Sequence, residues 1–155
     1  MELTDAFVQP GEESFSELIR SVSIGKLKTY QVYEGFKVRA RLTKLNTETL
    51  RKAIPRFWTR LSGERDEEFA KDLAQAVLVS HIDLITDVLA FLEIPNEGGF
   101  FSKDLNAGQY LTEGWQDRVF TQFREKYPRA LLLFYINHLG AELTQASEPY
   151  SPPQS

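Results

Sequence analysis

The sequence has 155 residues, 42% hydrophobic and 26% charged, a balance that belongs to a folded domain and not to a disordered chain. It contains no cysteine, which excludes a disulfide scaffold, a cysteine-ligated zinc site and a thiol nucleophile. The net charge of −4 is small only because a basic stretch and two acidic ones offset each other.

Residues 1–13 are acidic, end in Pro10-Gly11 and read as a flexible arm. No apolar run follows the start as a signal peptide would require. The longest apolar stretch, Ala130 to Ile136, is far short of a membrane span, so a cytoplasmic protein is expected. Ser14 can cap a short helix carrying Phe15, Leu18, Ile19 and Val22. Residues 28–42 break the helical pattern. Phe36, Val38, Ala40 and Leu42 alternate with Lys37, Arg39 and Arg41, and Glu34-Gly35 can turn the chain after Tyr30 and Val32. That is the pattern of a β-hairpin with one buried face. Glu-Gly is a weaker hairpin turn than Asn-Gly, so hairpin and helix both stand for this stretch.

Helical spacing resumes at Asn46 or Thr47, either of which can cap a helix with Leu50, Ile54, Phe57, Trp58 and Leu61 on one face. Pro55 either kinks that helix or starts a second one, and Gly63 ends it. The spacing then predicts a long central helix over 66–93. Asp66, Glu67 and Glu68 suit its positive end, and Phe69, Leu73, Ala76 and Val77 form a first apolar stripe. A broader stripe of Leu78, Ile82, Leu84, Ile85, Val88, Leu89, Phe91 and Leu92 follows, before Ile94-Pro95 stops the helix.

Residues 95–111 hold Gly98-Gly99, Asn106 and Gly108 together with Phe100, Phe101, Leu105 and Tyr110. A loop this long and apolar is either a lid on its own core or a partner surface. Thr112 can cap a helix bearing Trp115, Val119, Phe123 and Tyr127. Pro128 separates it from a last apolar helix over Arg129 to Leu143. Residues 145–155, with Pro149, Pro152 and Pro153, read as a disordered tail. The fold expected is therefore mainly α: one domain over 14–144, about five helices bundled around the 66–93 helix, with one short hairpin over 28–42 as the alternative there.

Charge is distributed unevenly. Residues 1–25 hold one basic and five acidic residues, a balance of −4; residues 26–65 hold eleven and three, +8; residues 66–155 hold six and fourteen, −8. The candidate anion-binding residues are Lys37, Arg39 and Arg41 on the exposed side of the possible hairpin, and Lys52, Arg56 and Arg60 spaced by four on the helix. Trp58 and Tyr33 could add stacking. The competing reading is a solvated face, or one that pairs with acidic segments within the chain or across a dimer. An isoelectric point near 5.3 argues against a dedicated nucleic-acid-binding domain.

Catalytic motifs are missing. Ser23-Ile24-Gly25-Lys26 has the end of a phosphate loop, but Arg20 stands where the first glycine belongs and Leu27 where Ser or Thr belongs. GxSxG, HExxH and Glu-x-x-His do not occur. The one candidate metal or acid–base set is His81, His138 and Glu142, with Tyr135 on the same stripe as His138. The bland reading of each histidine is a hydrogen-bonded core residue, and of His138–Glu142 a local ion pair. The function expected is a non-enzymatic protein-interaction or assembly module without a cofactor, binding a protein partner or a second copy of itself and not a membrane. The first alternative is polyanion or nucleic-acid binding through residues 26–65, and the second is the His81/His138/Glu142 site.

Overall fold

The computed structural model describes residues 2–22, 47–101, 104–143 and 149–152. The chain is mainly helical, as expected. Among the described residues there are eight helices and no strand longer than a single bridge, Glu97 to Phe100. The candidate hairpin over 28–42 lies outside the described residues. Contacts group the chain into two compact units, Glu2–Ser80 and His81–Ser155.

The first unit holds α1 (Leu3–Val8), α2 (Glu12–Arg20), α3 (Thr47–Ser62) and α4 (Glu67–Ser80). The expected flexible arm is thus a helix, with Thr4, Ala6 and Phe7 buried. Six residues cannot hold a helix by themselves in water, so tertiary contacts stabilise it. Glu67 supplies the main one: its two carboxylate oxygens accept the N–H groups of Leu3 (2.8 Å) and Thr4 (3.3 Å). These are two of the N–H groups that a helix start leaves without a partner. Arg65 adds an ion pair to Asp5 at 2.7 Å, and α1 packs on α3 and α4. Aromatic rings link the elements in chain order: Phe7 to Phe15, Phe15 to Trp58, and Phe57 to Phe69, with centroids 6.0, 5.5 and 5.4 Å apart.

The cap of α2 is Gly11, at φ +100°, and not Ser14, which sits inside the first turn. The α3 helix runs unbroken through Pro55. Proline cannot donate to the Arg51 carbonyl, but both residues lie on the exposed side, where water can serve that carbonyl. The helix ends before Gly63, as its sequence suggests. Asp66 then starts α4. Its Oδ1 accepts the Phe69 N–H at 3.1 Å, and its Oδ2 accepts Arg60 Nε and Nη2 at 2.9 and 2.6 Å.

The expected long helix over 66–93 is in fact two, α4 and α5 (Ile82–Phe91), interrupted at His81, whose φ −134° and ψ 47° are not helical. The run Val77-Leu78-Val79-Ser80-His81 is rich in residues of modest helix propensity. Ser80 Oγ also donates to the Ala76 carbonyl at 2.7 Å, a local bond that competes with continuing the ladder. The apolar pattern hid this break, because apolar residues are buried on both sides of it, Leu73, Ala76 and Val77 before and Leu84, Ile85 and Val88 after.

The second unit holds α5, α6 (Ala107–Tyr110), α7 (Trp115–Phe123) and α8 (Arg129–Leu143), followed by residues 149–152. The α8 bounds match the sequence reading, and α8 is buried from Ala130 to Asn137 on every side. The α7 helix packs on α8; Tyr127, expected on α7, lies in the turn beyond it. From that turn Lys126 Nζ reaches Asp87 of α5 at 2.6 Å and the Tyr127 hydroxyl donates to the same carboxylate oxygen. Phe91 meets Phe123 edge-on at 5.6 Å.

Three carboxyls sit below their ordinary value of 3.8. For Asp66 the Phe69 N–H is the main cause, and with Arg60 it outweighs burial. For Asp5 burial is the largest influence and acts upward, but the Arg65 hydrogen bond and the Glu2 N–H together outweigh it. For Asp87 the hydrogen bonds from Lys126 and then Tyr127 lower it. Each folded value is below the unfolded one. The stabilisation is therefore complete above the unfolded value and is lost as pH falls through the folded value. The thermal midpoint is expected to hold from neutral pH down to about pH 5 and to drop below about pH 4. Asp66→Ala removes a cap and an ion pair together and is expected to cost about 1–3 kcal/mol in urea denaturation. The same variant should show a shallower acid-side loss than the wild type.

Candidate interaction surfaces

Among the described residues, the basic candidates divide into an exposed pair and one engaged within the chain. Lys37, Arg39 and Arg41 lie outside the described residues. Lys52 and Arg56 stand exposed on α3 with Arg51, on the side away from the buried Ile54, Phe57 and Leu61. Lys52 pairs with Glu48 at 3.6 Å, but both are largely in solvent, where such a pair contributes little. Arg60 is engaged within the chain: it bonds Asp66, and its guanidinium lies over the Phe69 ring at 4.9 Å.

The two histidines occupy different elements of the second unit. His81 occupies the break before α5, half-buried, and burial lowers its pKa. His138 Nε2 lies 3.1 Å from Glu142 Oε2, the local pair its spacing suggests. Its ring stacks near Phe134 and Tyr135 at 6.0 and 6.4 Å. Burial, then the Glu142 charge, raises the Tyr135 phenol. Among the described residues no group of three or more His, Cys, Asp or Glu side chains converges to hold a metal ion, so His81 does not join His138 and Glu142 in one.

The 93–111 stretch of the second unit is more informative. Glu97 and Phe100 exchange backbone hydrogen bonds of 2.8 and 3.1 Å across Gly98 and Gly99, whose φ values are +59° and +96°. Positive φ at both central residues is the geometry that suits a two-residue hairpin turn, and glycine adopts it without strain. Asn96 locks the turn: its Nδ2 donates to the Ile94 carbonyl at 2.9 Å and its Oδ1 accepts the Gly99 N–H at 3.0 Å. The turn holds Phe100 with 72% of its surface in solvent, the largest exposure of any large apolar side chain among the described residues. Leu111 is buried and Phe101, Leu105 and Tyr110 half-buried, so the loop covers its own core while presenting one ring outward. Phe91, 37% exposed, edges a groove of about 380 Å³ lined also by Leu92, Tyr110, Glu93, Gln109 and Arg118. Arg118 braces the groove wall by donating to the Glu113 carbonyl and Thr112 Oγ1, both at 2.9 Å.

Gly98-Gly99, Asn106 and Gly108 signal irregular backbone in the sequence. The outward aim of Phe100 follows from Asn96, two residues before Gly98, whose role is visible only in the folded turn. A Cβ on Gly99 would meet Ile85 Cγ2 at 3.1 Å, and its φ disfavours any side chain. Gly99→Ala is therefore expected to destabilise the protein by about 1–3 kcal/mol in denaturant titration. Gly98→Ala, with open space around its Cβ, should cost less.

Among the described residues no single helix is long and apolar enough to cross a membrane. No protein-family model, no curated protein and no solved structure matches this chain.

Proposed function

We propose that this chain is a non-enzymatic helical interaction module of the cytoplasm, its helices a bundle scaffold, which associates with a second copy of itself through the surface around Phe100. The observation that carries this reading is Phe100 itself, 72% exposed yet fixed by a hydrogen-bonded turn. An aromatic side chain held out on rigid backbone forfeits little entropy on binding, which is the property of interface anchors. Phe91, the other exposed large apolar residue among the described ones, widens the apolar surface of the same unit. Sedimentation velocity over a wide concentration range tests the reading. The wild type is expected to shift to a larger species as concentration rises, and Phe100→Ser to remain monomeric with an unchanged thermal midpoint. A wild type that stays monomeric throughout would overturn it.

A second reading rests on Arg51, Lys52 and Arg56, whose side chains are exposed on α3. Lys52 and Arg56, four apart on the helix, with Arg51 beside them, suit a phosphate backbone. Anisotropy of labelled DNA and RNA is expected to show binding that weakens with salt and is lost in Lys52→Glu/Arg56→Glu. Each phosphate contact removed should reduce the salt slope by about 0.9. The absence of binding at low salt would leave self-association as the sole reading.

A further inference from the structure

Residues 149–152 lie on the α7–α8 surface of the second unit. The Tyr150 N–H donates to Asn137 Oδ1 at 2.6 Å, and the Tyr150 hydroxyl donates to Asp117 Oδ1 at 2.6 Å. The Tyr150 ring lies 6.5 Å from that of Phe120, which Arg124 and Arg129 also approach, at 5.6 and 5.4 Å. Asn137 explains why this contact is built and not incidental. It is 1% exposed, in a buried run from Ala130 to Asn137 whose other side chains are apolar apart from the Tyr135 hydroxyl. Its Nδ2 is used on the Leu133 carbonyl at 3.1 Å, so its Oδ1 faces outward from the helix ladder as a fixed acceptor. A position that needed only to fill volume would be better served by leucine, because a buried amide must find its partners.

The three groups read three features of one ligand. Asn137 takes a backbone N–H, Phe120 offers an apolar platform, and Asp117 stands one phenol length away to accept a hydroxyl. An alanine would miss two of the contacts and a phenylalanine one. We propose that Asp117, Phe120 and Asn137 form a recognition site for an extended segment carrying an unmodified tyrosine, and that residues 149–152 are its tethered ligand. The same segment of a second copy would satisfy every contact. Five residues separate Leu143 from Pro149. A tether that short keeps the ligand at an effective concentration on the order of millimolar, so a free segment enters only when the tethered one is disabled. This surface does not involve Phe100, so the two proposals stand or fall separately.

The test uses the full chain and a fluorescein-labelled peptide with the sequence of residues 146–155. Full-length Tyr150→Ala is expected to bind the peptide saturably, at least about tenfold more tightly than the wild type, whose own segment competes. A peptide carrying alanine at the tyrosine position should bind neither protein. Should Tyr150→Ala fail to give a native circular dichroism spectrum, full-length Tyr150→Phe decides the matter. It keeps the ring and the N–H, loses only the Asp117 bond, and should bind the peptide severalfold more tightly than wild type. Binding no tighter than wild type in the folded variant, or equal binding of the alanine peptide, would overturn the proposal.

Discussion

Asp66 and Glu67, adjacent in sequence, close two helix starts at once, and the first unit is organised around them. Asp66 caps its own helix, α4, while Glu67 turns the other way and takes the first N–H groups of α1. A helix of six residues has almost no ladder of its own, so its exposed donors dominate its energetics. Anchoring those donors to a carboxylate on a distant, well-packed helix brings Phe7 onto Phe15 and starts the chain of rings that runs through Trp58. The same turn uses Arg60 and Arg65 to neutralise what it concentrates: Arg60 on Asp66, Arg65 on Asp5 and, at 3.6 Å, Glu2.

That arrangement also accounts for part of the uneven charge along the chain. The basic middle supplies Arg60 and Arg65 to acidic residues of the segments before and after it. Arg60, one residue of what looks in sequence like a ligand-binding stripe, is thus engaged within the fold. Arg51, Lys52 and Arg56 remain exposed on α3, where a spacing of four, unbroken by Pro55, puts Lys52 and Arg56 on one side.

The second unit faces the opposite difficulty. Its α8 is buried on all sides through most of its length, so any polar atom there needs a partner from elsewhere. The Asn137 amide oxygen is one such atom, and the chain brings Tyr150 back to meet it. The exposed ring of Phe100 is the reverse case, an apolar group denied burial by a turn whose glycines and Asn96 leave it no freedom to fold inward.

What the sequence determined alone is what local periodicity encodes. The mainly helical character of the described residues, the α8 bounds and the end of α3 at Gly63 follow from apolar spacing, Pro128 and a glycine stop, which act within a few residues. The His138–Glu142 pair was legible for the same reason. Tertiary structure decided everything that depends on a partner distant in sequence. The helicity of residues 3–8 comes from Glu67, the use of Arg60 from Asp66 and Phe69, and the placement of Tyr150 from Asn137 and Asp117. The break at His81 lay between these cases: its weak helix formers were visible, but an apolar stripe reads the same whether one helix or two bury it. A side chain's chemistry is written in the sequence, but which distant group satisfies it is fixed only when folding brings the two within hydrogen-bonding distance.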